Sequence, residues 1–342
     1  MGKTRFAIVG CGVIYPSHAA AILAQPDAEL AAVCDIVPER ARAAGEKHGV
    51  DWYTDYSEML GRKDLDAIAI CTPSGLHGRQ AIEAMRAGKH VVVEKPMDIT
   101  LPAVDEMRRT QKETGRQLAV ISQHRWDQGV RTVKRLLDEG RFGRLAMINC
   151  YTHWYRSQAY YDSGDWRGTY ALDGGGALMN QSIHYIDLLR WLGGPLESLT
   201  AYCATLTHRI EVEDTATACV RFASGALGAI QGTTSAYPGL STRLEVYGSE
   251  GSAVIVADRL VHLHLASDPD RKADPDAPAS TGAGAADPAS IYGEGHKAQY
   301  ADFLAALQGG GKPLVDGDEG RHAVAIILAI YEAARTGREV RF

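Results

Sequence analysis

No stretch of this 342-residue chain approaches the roughly 20 consecutive apolar side chains that a membrane helix requires. Nor does the amino terminus carry a basic patch leading into an apolar run and a cleavage site, so a cytoplasmic protein without a membrane partner is expected. Basic residues do not cluster, and the net charge is -6; a nucleic-acid binder needs a local excess of Lys and Arg against phosphate, so no nucleic-acid partner is expected. The six cysteines (Cys11, Cys34, Cys71, Cys150, Cys203, Cys219) are scattered without C-x-x-C spacing. Zinc and dithiol chemistry therefore lose their usual signature, and the thiols read as reduced packing residues. Internal repeats are also lacking.

What is present is an ordinary globular composition, 45% hydrophobic and 23% charged, and a length that suits two domains. From Arg5 to about 121, apolar runs alternate with Ala-rich amphipathic segments: Arg5–Val9, Leu30–Cys34, Leu65–Cys71, His90–Val93 and Gln117–Ile121 read as strands, with helices between them. Such alternation argues for a doubly wound parallel sheet. After Ser122 the pattern changes. A helix from Gln128 to Glu139, a strand from Leu145 to Trp154 and a single helix from about Gly176 to Leu192 precede five alternating runs between Glu197 and Ala257, separated by turn pairs such as Ser224-Gly225. The fold class is therefore α/β, with a Rossmann domain over 1–123 and an α+β domain with an open, mainly antiparallel sheet over 124–342. Residues 267–290, rich in Asp, Pro, Ala and Gly, read as a loop or insertion, and a last helix covers about Glu319–Arg335.

Gly10 and Gly12 follow the first strand and precede a helix, where glycines allow a tight turn and close approach of a pyrophosphate to the helix amino terminus. Tyr15 stands where the fingerprint has its third glycine. Asp35 ends the second strand, 23 residues beyond Gly12, where a carboxylate accepts hydrogen bonds from an adenosine ribose and repels a 2′-phosphate. NAD is thus expected rather than NADP, with Arg40 as the residue that leaves room for the phosphorylated form. Val13 and Ile14 complete the loop.

Three further stretches carry a resemblance: Cys71-Thr72-Pro73-Ser74-Gly75-Leu76-His77, then Ala87-Gly88-Lys89-His90-Val91-Val92-Val93-Glu94-Lys95-Pro96, then Gly174-Gly175-Gly176-Ala177-Leu178 with His184-Tyr185-Ile186-Asp187. With these the chain resembles the Gfo/Idh/MocA oxidoreductases over nearly its whole length. The resemblance implies an NAD-dependent dehydrogenase acting on a secondary hydroxyl of a sugar, sugar derivative or cyclitol. It implies that Lys95 is the acid/base group and His184 its assistant, and that Thr72, Pro73, His77 and Glu94 border the cofactor; Gln123 is a further expected cofactor residue. The chemistry agrees, since hydride transfer from an alcohol needs a base on the hydroxyl, and a lysine relieved of its proton by burial or a cationic nicotinamide can serve.

Asn180 stands where many members carry Asp, which disfavours an Asp-assisted histidine and leaves Asn180 as a substrate hydrogen-bonder. Asn180, His184 and Asp187 have the spacing to share one helical face. The aromatic stretch from Tyr160 to Thr169 suits a ring substrate, with Trp166 as a stacking surface and Arg167 as an anion ligand; Arg125 is a second anion candidate and His296 another substrate residue. This region is similar to the branch that oxidises C3 of UDP-N-acetylglucosaminuronate, while free sugars, glycosides and inositols stay open. His184, Asp187 and His296 have the residue types of a metal site, but the family uses none and no metal is expected. A non-catalytic NAD-binding sensor of the same fold is the alternative reading, and a homodimer or homotetramer is expected because an open sheet leaves one face to cover.

Overall fold

The computed structural model describes residues 2–270, 273 and 294–342. They divide into two compact units: Met1–Ser122 with His296–Arg321, and Gln123–Gly295 with His322–Phe342. The Asp- and Pro-rich stretch expected as a loop lies largely outside the described residues.

The first unit runs β1 (Thr4–Val9), α1 (Tyr15–Leu23), β2 (Ala28–Cys34), α2 (Pro38–His48), β3 (Asp51–Tyr53), α3 (Tyr56–Leu60), β4 (Ala67–Ile70), α4 (His77–Arg86), β5 (His90–Val93), α5 (Leu101–Thr114) and β6 (Leu118–Val120). Its six strands are parallel, in the order β3-β2-β1-β4-β5-β6. The strands are short unbroken apolar runs because helices cover both faces of a parallel sheet. The order reverses direction at β1 and β4, and an open α/β sheet binds its ligands outside the carboxyl ends of strands at such a point.

The second unit begins with α6 (Gln128–Asp138), β7 (Leu145–His153), α7 (Gln158–Asp162), a π-helical segment (Ala177–Ser182) and α8 (Ile183–Gly193). Strands β8 (Leu196–Ala204), β9 (Thr215–Phe222), β10 (Leu227–Thr233), β11 (Arg243–Gly248), β12 (Gly251–Val256) and β13 (Arg259–Leu265) follow; α9 (Glu294–Gly309) belongs from His296 on to the first unit, and α10 (Gly317–Thr336) belongs to the second from His322 on, before β14 (Val340–Arg341). The eight-stranded sheet has the order β13-β12-β11-β7-β10-β9-β8-β14, antiparallel except for β7 and β10. Along β9, Ala216, Ala218, Val220 and Phe222 face a core shared with Ile186 and Leu189 of α8, while Thr217, Cys219 and Arg221 point away. That two-residue alternation is what one covered face dictates.

Two expectations change. The division at residue 123 misses the return of residues 296–321 to the first unit. Tyr300, Phe303 and Leu304 complete the core around Phe6, and Gln299 hydrogen-bonds the Val120 carbonyl (2.7 Å) and the Ser122 N–H (3.0 Å). Val120 also donates to the Val315 carbonyl (2.9 Å), so the edge of β6 is occupied by chain almost two hundred residues downstream. The helix expected over Gly176–Leu192 is not uniform; it opens with six π-helical residues before becoming α8. Among the described residues, no helix is long and apolar enough to cross a membrane.

Candidate active site

Gly10 closes β1 with φ +91, and a Cβ there would lie 2.6 Å from the Cys71 carbonyl carbon at the end of β4, so only glycine lets the two strand ends approach. Gly12 differs. A Cβ on it would meet no protein atom within 4 Å, so internal packing does not demand its smallness and close approach of a ligand to the backbone remains the reason for it. Val13 is exposed and Ile14 half-buried, and no side chain of its own caps the start of α1 at Ile14, which suits a pyrophosphate there. Tyr15 fills the third fingerprint position by turning inward onto the ring edge of His48.

Asp35 is buried, and its carboxylate accepts the N–H groups of Cys11 (2.7 Å) and Val37 (2.9 Å), which ties the glycine loop to the end of β2. Carboxylate oxygens have further lone pairs for a ribose hydroxyl. Arg40 is exposed nearby. Burial pushes the thiols of Cys11 and Cys34 up to about 12, as inert packing residues require.

Lys95 is the one residue from Val91 to Asp98 that is not fully buried. Beneath it, Glu94 accepts the Lys95 N–H (3.0 Å) and hydrogen-bonds His18 Nε2 (2.9 Å), whose Nδ1 faces the Tyr300 hydroxyl at 2.8 Å. Burial alone would raise the Glu94 carboxyl; the hydrogen bonds and charges of His18 and His296 outweigh it and hold the group well below its ordinary value. His296, expected to meet substrate, instead belongs to this network: it is 2% exposed, 3.7 Å from Glu94 and edge-on to His18. His77 also serves the protein rather than a ligand. Buried, it sets Nδ1 2.7 Å from the Pro96 carbonyl and Nε2 2.8 Å from that of Thr72, joining the half-buried Thr72-Pro73 turn to the segment after Lys95. Burial keeps this histidine below its ordinary pKa despite the two carbonyls.

In the second unit, Arg125 is not an anion ligand for substrate. It is 1% exposed and forks onto Asp187 through Nε (2.8 Å) and Nη2 (2.6 Å), a pairing that neutralises a guanidinium where water cannot. His184 is buried on α8 and meets the ring of His124 edge-on at 5.1 Å. Burial lowers the His124 pKa, but Asp258 and Asp127 outweigh it and carry it to about 9, so it is an imidazolium at neutral pH. Gln123, expected at the cofactor, is 2% exposed in this unit; its Oε1 has no hydrogen-bond partner among the described residues.

Asn180 is the half-buried member of an otherwise buried segment. Its amide donates to Asp173 at 2.7 Å, which fixes which end is nitrogen and keeps a carboxylate beside Asn180. Arg167 lies over the rings of Tyr160 (4.3 Å) and Trp166 (4.5 Å) and donates to the Tyr160 hydroxyl at 2.6 Å. Arg156, which sequence reasoning passed over, is buried over the rings of Trp154 (5.0 Å) and Tyr160 (5.4 Å). Arg167 has no ion-pair partner among the described residues, so a half-buried positive charge is held between aromatic rings without a protein anion.

The oxidoreductase family with an NAD-binding Rossmann fold matches residues 4–122, and the GFO/IDH/MocA C-terminal domain matches residues 130–254. The WlbA dehydrogenase of Bordetella pertussis, solved with NADH and UDP-GlcNAcA, is 38% identical over 99% of both chains with a TM-score of 0.87. This chain belongs to the Gfo/Idh/MocA family. As a member it is an oxidoreductase with an NAD-binding domain. The corresponding WlbA enzyme of Chromobacterium violaceum is also 38% identical, covering 100% of this chain and 96% of its own, with a TM-score of 0.89. Inositol 2-dehydrogenase of Rhizobium meliloti is 27% identical over 98% of each chain.

Proposed function

We propose that this Gfo/Idh/MocA protein oxidises a ring hydroxyl of a sugar with NAD, that its preferred substrate class is a nucleotide sugar bearing a carboxylate, and that Lys95 is the acid/base group. NAD, when bound, supplies the hydride acceptor. As the carbinol carbon is oxidised to a ketone, the Lys95 amine would take the hydroxyl proton and become an ammonium. His184 orients or relays to the hydroxyl, and Asn180, with its amide turned to Asp173, hydrogen-bonds the ring.

The observation that carries the substrate class is Arg167, a charge set against Tyr160 and Trp166 with no carboxylate partner among the described residues. Two complexes at 38% identity that hold UDP-GlcNAcA support it. A neutral cyclitol is the second reading, favoured by the full-length similarity to inositol 2-dehydrogenase. Arg167→Ala separates them: losing a charge-assisted contact should raise KM for a UDP-sugar uronate by about 10- to 100-fold and leave KM for neutral polyols unchanged. An equal effect on both classes, or none, rejects the carboxylate role. The outward face of the second sheet, with Tyr202 82% exposed on β8, is where we expect a homodimer or homotetramer to form; a monomeric mass by light scattering would refute that.

A further inference from the structure

The segment that carries Asn180 and leads into His184 has an unusual backbone, and a single residue from another part of the unit holds it. A π-helical stretch is rare and persists only where its surroundings impose it. Here Gly176 precedes the stretch, and no side chain of the segment caps it. Glu213, in the connection leading into β9, does so instead. Its carboxylate accepts the N–H groups of Gly176 (2.9 Å) and Leu178 (2.8 Å), and its main-chain carbonyl accepts that of Ala177 (3.0 Å). Three consecutive N–H groups at the entry of the segment thus end on one residue.

The surroundings fix Glu213 in turn. Tyr331 of α10 donates to the same carboxylate at 3.0 Å. Asp214, next in sequence and fully buried, accepts the N–H groups of Leu206 (2.9 Å), Thr207 (2.8 Å) and His208 (3.0 Å) and pins the chain from its other side. The consecutive glycines acquire a reason as well: a Cβ on Gly176 would collide with the Glu213 carbonyl, and one on Gly175 with the Tyr331 hydroxyl. Motif and clamp are parts of one arrangement.

We propose that Glu213 is a positioning residue for the dehydrogenase: by clamping Gly176, Ala177 and Leu178 it enforces the π-helical turn that sets Asn180 relative to His184. If the clamp is released, the turn relaxes toward α geometry, and the one-residue change in winding rotates Asn180 about the axis by roughly 100° relative to His184. Glu213 acts on Asn180 and His184 through the backbone it holds, so its effect on turnover is indirect.

The test is backbone hydrogen exchange on the full-length protein, comparing wild type with Glu213→Ala, Glu213→Gln and Tyr331→Phe. Amides of residues 177–184 should exchange at least about tenfold faster in Glu213→Ala, less so in the other two, with the strands of the first unit and the affinity for NAD unchanged. The kinetic arm rests on the sugar-oxidation reading: kcat should fall by about 10- to 100-fold in Glu213→Ala with partial retention in Glu213→Gln. Exchange needs no substrate, so a wrong substrate class leaves that arm intact. Unchanged exchange at 177–184, or faster exchange spread evenly over the unit, overturns the proposal. If Glu213→Ala does not fold, Tyr331→Phe decides: a local increase supports the clamp, and none overturns it.

Discussion

At the residue scale, labour is divided between side chains proposed to face a ligand and side chains that hold them. Lys95 stands alone in its segment in not being buried, above a carboxylate fixed by His18. Lys95→Ala should therefore lower turnover by about 10²- to 10⁴-fold while NAD still binds, as read by fluorescence titration of the cofactor; retained turnover would remove the lysine from proton transfer. Asp35 is the residue proposed to hold the ribose of NAD. Asp35→Ala loses a hydrogen bond to a charged group and also frees the Cys11 N–H, so NAD affinity should drop about tenfold or more, measured by calorimetry. His124 carries a pH signature. Its pKa is about 9 in the fold against an ordinary 6.5, so it binds a proton more tightly folded than unfolded. Its stabilising contribution is complete below about 6.5 and fades as pH rises through 9. Chemical denaturation from pH 6 to 10 should show that decline, and His124→Gln should flatten it.

At the scale of elements, most strands and helices of the first unit were legible because each had its own local signal: an apolar run, a glycine stop, a proline in a first turn; the three-residue β3 and the five-residue α3 are too short to show a period and were missed. The placement of Lys95, Gly10, Gly12 and Asp35 just beyond strand ends was legible for the same reason. What the sequence hid was who touches whom. Arg125 read as an anion ligand because a lone arginine after a strand has no visible partner; Asp187, 62 positions on, supplies it. Arg156 went unnoticed inside an aromatic run, although two arginines flanking one tyrosine was the available hint. The winding of residues 177–182 was also out of reach, because the period of side chains resembles an α-helix and the cause, Glu213, lies on another element.

At the scale of the whole molecule, the chain order conceals that the first unit is finished by residues 296–321. Phe303 packs on Phe6 with ring centroids 6.1 Å apart and is fully buried, so Phe303→Ala should cost about 3–5 kcal/mol. Residues 1–122 expressed alone should be poorly soluble and melt without a cooperative transition, because the β6 edge and the Phe6 core are both left open. A well-folded, NAD-binding fragment 1–122 would show that the C-terminal return is dispensable. The central claim concerns chemistry, and one measurement reaches it most directly: NADH formation by the purified protein with NAD and a UDP-sugar uronate, set against inositols and neutral sugars, for wild type and Lys95→Ala. The account predicts NADH with the uronate, far less with the neutral compounds, and none above background in the variant. NADH formed equally by the variant, or by no substrate although NAD binds, would contradict it.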